Sequence, residues 1–202
     1  MAKAKAGLAN LNAGGSSNGV MKNRTAEDYL QLGIDAHEKG EMERSAGFFE
    51  RSAREGGGCG TGMLMWGLAL RHGWGCQVNE TRAFKWLQKA AESVVDEVER
   101  VKAEGKDEAF AVKNELVLAV YELGQCFMRG WGCKKDKALA INYFELAAKL
   151  GDPDAQQELG FCYSNGKGTK KDLKKAAKYY RMASKQGIEM MGSQWIWKSK
   201  YD

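Results

Sequence analysis

The sequence predicts an all-α fold, a right-handed α-solenoid of about four helix–turn–helix repeats with one inserted helical hairpin. Three observations point there. A hydrophobic–Gly pair recurs four times, at Leu32-Gly33, Trp66-Gly67, Leu123-Gly124 and Leu159-Gly160. Each pair is followed by an Ala with an aromatic three positions on: Ala46/Phe49, Ala83/Trp86, Ala140/Tyr143 and Ala176/Tyr179. The chain also holds 25 glycines against one proline, Pro153. That balance leaves helix interiors unbroken and sends the glycines to turns or close contacts. Self-similarity at a fixed period is the mark of a repeat architecture.

Taken in order, residues 1–23 are small and polar, without the apolar run of a secretory signal, and read as a flexible tail. The solenoid is expected over 24–187, with repeats at about 25–57, 62–93, 119–151 and 155–187. In each, a second Ala stands seven positions after the first, at Ala53, Ala90, Ala147 and Ala183. Spacings of three, four and seven share one helical face. Gly inside a helix costs about 1 kcal/mol relative to Ala. Its recurrence at Gly33, Gly67, Gly124 and Gly160 therefore predicts a helix pressed against bare backbone. The Ala positions of the second helix are expected to form the other half of that contact. The aromatics are expected to fill the wedge between repeats. Gly73-Trp74-Gly75, Gly130-Trp131-Gly132 and Gly166-Lys167-Gly168 allow a tight exit from each first helix. Asn79, Asp136 and Asp172 then occupy the N-cap position of the second helix. The first repeat has a shorter turn, Gly40-Glu41-Met42-Glu43.

Two segments break the period. Over 94–115, Val94, Val95, Val98 and Val101 recur at helical spacing, so the second helix of repeat two should run on past Ala91. Gly105 is the expected turn, and Asp107 the start of a helix running into Tyr121. Residues 188–202 carry Ser193-Gln194-Trp195-Ile196-Trp197-Lys198, an aromatic segment suited to cap the last repeat, whose outer face has no successor. The expectation is that Trp195, Ile196 and Trp197 pack near Tyr179 and Tyr180.

The net charge is +5 and unevenly spread. From Leu123 to Asp202 there are 15 Lys/Arg against 8 Asp/Glu, and the remainder has 16 against 18. Lys171, Lys174 and Lys178 belong to a basic face that suits an acidic partner. Nucleic acid is disfavoured, because no aromatic is interleaved among these lysines to stack bases.

Nothing assembles a catalytic or metal site. His37 and His72 are the only histidines, too few for a metal cluster or triad with visible partners. There is no phosphate-loop motif. His72 falls in register with Arg129 and Asn165, and Cys76 with Cys133 and Thr169, as turn-edge and connector positions. Cys126 and Cys162 align as small packing residues. Five cysteines without paired spacing argue for free thiols in a reducing, cytoplasmic setting. No stretch reaches the roughly 18 apolar residues of a membrane span. No enzyme activity, metal or cofactor is expected.

The residues resemble the Sel-one-like repeat, a relative of the tetratricopeptide repeat. Its pattern of Ala-x3-Leu-Gly, Gly-x-Gly, Asp, Lys/Arg-Ala and a Tyr/Trp pair is nearly complete over Ala155–Gly187 and good over Ala119–Gly151. "GMLMWGLALRHGWGC" and "GSQWIWKSKY" are similar to the repeat region of a fungal group that includes mitosis inhibitors acting on a protein kinase. The resemblance implies a non-catalytic adaptor whose concave face, lined by first helices, binds a peptide or protein, a protein kinase included. Lys171, Lys174, Lys178, Trp195 and Trp197 are the candidate contact residues. Some bacterial members pair their helices by disulfides, with cysteine beside the positions of Ala148 and Ala155. The alternatives are the β-lactamase-like hydrolysis attributed to some members, or a basic nucleic-acid scaffold.

Overall fold

The computed structural model describes residues 24–103, 114–188 and 193–201. Among them are eight α-helices and no strand: α1 (Ala26–Glu38), α2 (Met42–Arg54), α3 (Gly60–His72), α4 (Glu80–Ala103), α5 (Asn114–Arg129), α6 (Lys137–Lys149), α7 (Pro153–Asn165) and α8 (Leu173–Lys185). Short 3-10 turns follow at Ser193–Trp197 and Ser199–Tyr201. Side-chain caps start α1, α3, α4, α6, α7 and α8. Thr25 forms a capping box with Asp28. Asp136, Asp152 and Asp172 accept from the backbone N–H of Leu139, Ala155 and Lys175, and Asn79 accepts from Arg82. Pro153 opens α7, where a missing N–H costs nothing. Gly73 and Gly166, at φ 75° and 70°, end α3 and α7 in the left-handed conformation that favours glycine.

The helices stack in chain order. α1 packs on α2, α3 on α4, α5 on α6 and α7 on α8, and each pair is joined to the next through α2–α3, α4–α5 and α6–α7. First helices also meet across repeats, α1 with α3 and α3 with α5. That places them on the inner side of the solenoid.

Each pair closes on one missing side chain. A Cβ on Gly33 would stand 2.5 Å from the Phe49 ring; on Gly67, 2.9 Å from Leu87; on Gly124, 2.6 Å from Phe144; on Gly160, 2.5 Å from Tyr180. The seated residue in the last three repeats is thus one position beyond the aromatic the spacing suggests. Trp86, Tyr143 and Tyr179 are turned aside and only partly buried. Tyr143 stacks on Phe127 at 5.5 Å and Tyr179 on Tyr163 at 5.8 Å, both within their own repeat rather than in a wedge between repeats.

The same geometry shifts the first repeat by one residue. Phe49 corresponds to Leu87, so Ser45 and Ser52, rather than Ala46 and Ala53, stand where the other repeats have Ala83 and Ala90. Both serines are buried and hydrogen-bonded. Ser45 Oγ donates to the Gly33 carbonyl at 2.8 Å, and Ser52 Oγ to that of Ala26 at 2.7 Å. Ala46 and Ala53 are buried one step around the helix, in the cluster with Trp66 and Leu70. The first turn is therefore four residues shorter than its counterparts, counting from Gly33–Phe49 against Gly67–Leu87.

The second glycine of each Gly-x-Gly turn makes the joint between repeats. A Cβ on Gly75 would overlap the carbonyl of Met42, and one on Gly132 that of Glu80. On Gly168 it would stand 2.7 Å from that of Lys137. Each turn thus rests on the first residue of the preceding second helix.

α4 has 24 residues where α2, α6 and α8 have 13. It runs past Ala91, with Val94 fully buried and Val95 41% exposed. The side chains of Val98 and Val101, the Gly105 turn and Asp107 lie outside the described residues.

Gly124→Leu is expected to destabilise by about 3 kcal/mol, because overpacking at a closed helix crossing forces a backbone shift. Gly47, helical on α2 with open space around it, gives the contrast: Gly47→Ala should stabilise by about 0.5 kcal/mol. Thermal midpoints of the two variants check both.

Candidate interaction surface

The middle residue of each Gly-x-Gly turn is held between two anchored glycines, at the rim of the inner face. In the second and third repeats it reaches back to the first helix of the preceding repeat. Trp74 stacks on His72 at 4.8 Å and meets His37 of α1 at 5.8 Å. Trp131 lies between two guanidinium groups, Arg71 of α3 at 5.0 Å and Arg129 at 5.3 Å. Lys167 lies 5.0 Å over Phe161, which is 42% exposed on α7. One turn position thus carries Trp, Trp and Lys; the two tryptophans meet imidazole or guanidinium groups, and Lys167 also pairs with Glu158 at 3.6 Å. Arg71 and Glu122 tie α3 to α5 across the inner face at 2.6 Å, with side chains only 8% and 14% exposed. Next to them, Gln125 Nε2 donates to the Tyr121 hydroxyl at 2.8 Å, and Gln125 Oε1 accepts from Arg129 Nε. The surface between α3 and α5 is therefore polar and pre-organised, and Phe161 is an exposed apolar residue of α7, at the position where Leu68 and Gln125 are buried in the preceding repeats.

Burial governs the thiols. All five cysteines are free, and burial pushes Cys126 and Cys162 up to about 11, far from the thiolate that metal binding or nucleophilic attack requires. Cys59 has a structural task. Its Sγ accepts from Gly62 N at the start of α3, at 3.3 Å. Among the described residues no three His, Cys, Asp or Glu side chains gather around a metal-sized space. No helix there is long and apolar enough to cross a membrane.

The sequence-named contact residues separate into three places. Lys171 lies in the turn before α8, and Lys174 and Lys178 lie one turn apart on α8, all exposed. Trp195 is half-buried, edge-on to Tyr180 at 6.2 Å and to Tyr201 at 5.2 Å. Ile196 is 1% exposed and is the anchor of the tail. Trp197 departs from the expected cap, being 58% exposed with Arg181 at 5.8 Å from its ring. Arg181, which the spacing did not single out, clips the tail down: its Nε donates to the Ile196 carbonyl at 2.7 Å and an Nη to that of Tyr201 at 3.3 Å. The Arg71–Glu122 pair was likewise illegible, since its partners stand 51 residues apart.

The Sel1 repeat model matches residues 61–93, 117–152 and 153–188, just over half the chain. The chain belongs to the Sel1 repeat family. α1 and α2 precede the matched residues and share the glycine seat of the other Sel1 repeats. Among curated proteins, the chain is 33% identical to the mitosis inhibitor nif1 of Schizosaccharomyces pombe over 94% of its own length and 29% of that protein's. It is 32% identical to protein DSF2 of Saccharomyces cerevisiae, over 86% of the chain and 25% of the relative. It thus spans less than a third of the length of these relatives. Solved structures that match include a Sel1 repeat protein from Oxalobacter formigenes, 26% identical over 79% of this chain and 70% of that one, with a TM-score of 0.37. Helicobacter pylori cysteine rich protein B is 22% identical over 81% and 90%, with a TM-score of 0.44.

Two predictions follow from the geometry of these Sel1 repeats. Glu122→Ala leaves the Arg71 guanidinium buried without its carboxylate and should cost about 3 kcal/mol, whereas Arg71→Met combined with Glu122→Leu should be close to neutral. Chemical denaturation of the two variants measures the difference. In the tail, Ile196→Ala should cost about 2–4 kcal/mol and Trp197→Ala no more than about 0.5 kcal/mol, read as shifts in thermal midpoint.

Proposed function

We propose that this chain is a non-catalytic, cytoplasmic Sel1-repeat scaffold. On this reading it holds a partner protein, with a protein kinase as the partner class, in the control of fungal cell division or polarised growth. The observation that carries the reading is the 33% identity to a mitosis inhibitor, which extends over 94% of the chain and so takes in all four helix pairs. The inner face supports it physically. Its polar groups are already paired by Arg71–Glu122 and Tyr121–Gln125–Arg129, so a partner meets a surface that need not be ordered on binding. Phe161, exposed on α7, supplies an apolar contact. Buried, high-pKa thiols at Cys126 and Cys162 are packing groups rather than nucleophiles. Trp197, Lys174 and Lys178 are exposed at the C-terminal end of the stack and are proposed as auxiliary contacts.

A graft tests the proposal. The matching region of the fission-yeast mitosis inhibitor is replaced by this chain, and cell length at division is measured. A functional scaffold is expected to restore the mitotic delay. Loss of that delay by Phe161→Asp, with the helical circular dichroism unchanged, would localise it to the exposed face of α7. A well-expressed graft that leaves division at the length of the deletion strain would overturn the reading.

A further inference from the structure

The turns that join first and second helices form a basic edge in the third and fourth repeats. Gly-Cys-Lys-Lys-Asp at 132–136 and Gly-Thr-Lys-Lys-Asp at 168–172 put Lys134 with Lys170, and Lys135 with Lys171, in the same register. The fold then brings the two turns together. Gly168 rests on the start of α6, where a Cβ would be 2.7 Å from the Lys137 carbonyl and 3.0 Å from the Lys137 Cβ. Lys134, Lys135, Lys170 and Lys171 are all exposed. Among the described residues none of the four has a carboxylate within ion-pair distance. The acids that alternate with them do not compensate, because Asp136 and Asp172 turn their carboxylates to the backbone N–H groups of Leu139 and Lys175.

The edge is not a general property of these turns. In the second repeat the corresponding positions are Gln77 and Val78, and Val78 is 61% exposed. The positive charge is thereby confined to the two C-terminal repeats, with an apolar position at its N-terminal end.

We propose that this edge is a second docking surface, for an extended acidic segment of a protein partner that crosses the turns of repeats three and four. The argument is charge complementarity. Four uncompensated ammonium groups on two abutting turns match a run of carboxylates in an extended chain, whose residues rise about 3.3 Å each. The acidic half lies over Lys134, Lys135, Lys170 and Lys171, and an apolar residue of the segment reaches Val78. This rests on the scaffold reading and adds the chemistry of the partner.

The test uses the full chain and a fluorescein-labelled peptide of alternating Glu and Ser, followed by anisotropy at physiological ionic strength. Reversing the four lysines (K134E, K135E, K170E, K171E) is expected to weaken binding at least about tenfold, and a Gln set at the same positions nearly as much. A control reversal of the same net charge at exposed Lys39, Lys85, Lys185 and Lys200 should weaken it less than about threefold. Equal loss in the control set, or no binding by the folded wild-type chain, overturns the edge. A thymidine oligomer of matched charge that binds as tightly, with the same dependence on the four lysines, overturns the assignment to a protein segment. The Glu set, placed in the division-length graft, separates the two readings. Full mitotic delay with the edge reversed removes the docking surface and leaves the scaffold standing.

Discussion

A helix pair in this protein closes because the first helix has no side chain where the second lays down a large one. Phe49, Leu87, Phe144 and Tyr180 each sit over a bare backbone at Gly33, Gly67, Gly124 and Gly160, at separations where any Cβ would collide. Three of the four seated residues lie next in sequence to an aromatic that points elsewhere, to Phe127, Tyr163 or the Arg54 side chain. The close crossing therefore does two things. It buries one large side chain in each of the first three repeats, an apolar contribution of about 1.5–3 kcal/mol each, and covers Tyr180 in part in the fourth, and it turns the neighbouring aromatic aside.

A second absent side chain sets how repeats join. Gly75, Gly132 and Gly168 let each turn rest on the first residue of the preceding second helix, so backbone contact joins the repeats in addition to the side-chain packing of α2 on α3, α4 on α5 and α6 on α7. This joint has a consequence for the surface. The residue between the two glycines is pinned at the rim, which is why Trp74 and Trp131 meet basic or imidazole groups from two different helices. It also brings turns of neighbouring repeats into contact, so a charge motif repeated in sequence becomes one patch in space.

The ends and the break in the period follow the same physics. Ile196, half-covered Trp195 and the Arg181 hydrogen bonds cover the outer side of the fourth repeat. At the other end the first repeat is complete in geometry although its Ala positions are Ser45 and Ser52, which satisfy their hydroxyls on first-helix carbonyls. A hydroxyl of that size fits the crossing and finds an acceptor there, so the polar substitution is tolerated.

By itself the sequence determined the helix class, the repeat count, the capping residues Asp136 and Asp172, and the glycines at the crossings. All of these recur at fixed intervals and act through local backbone conformation or a single helical face. It did not determine which aromatic fills each crossing, because residues three and four positions after an Ala lie on nearly the same face and only the neighbouring helix selects between them. The register of the first repeat was hidden for the same reason: Ser45-Ala46 and Ser52-Ala53 are adjacent small pairs, and the depth of a shortened turn decides which member faces α1. Tertiary structure alone paired Arg71 with Glu122, placed Arg181 on the tail carbonyls and left Trp197 in solvent. Those outcomes depend on distances between helices far apart in the chain, and no periodicity encodes them.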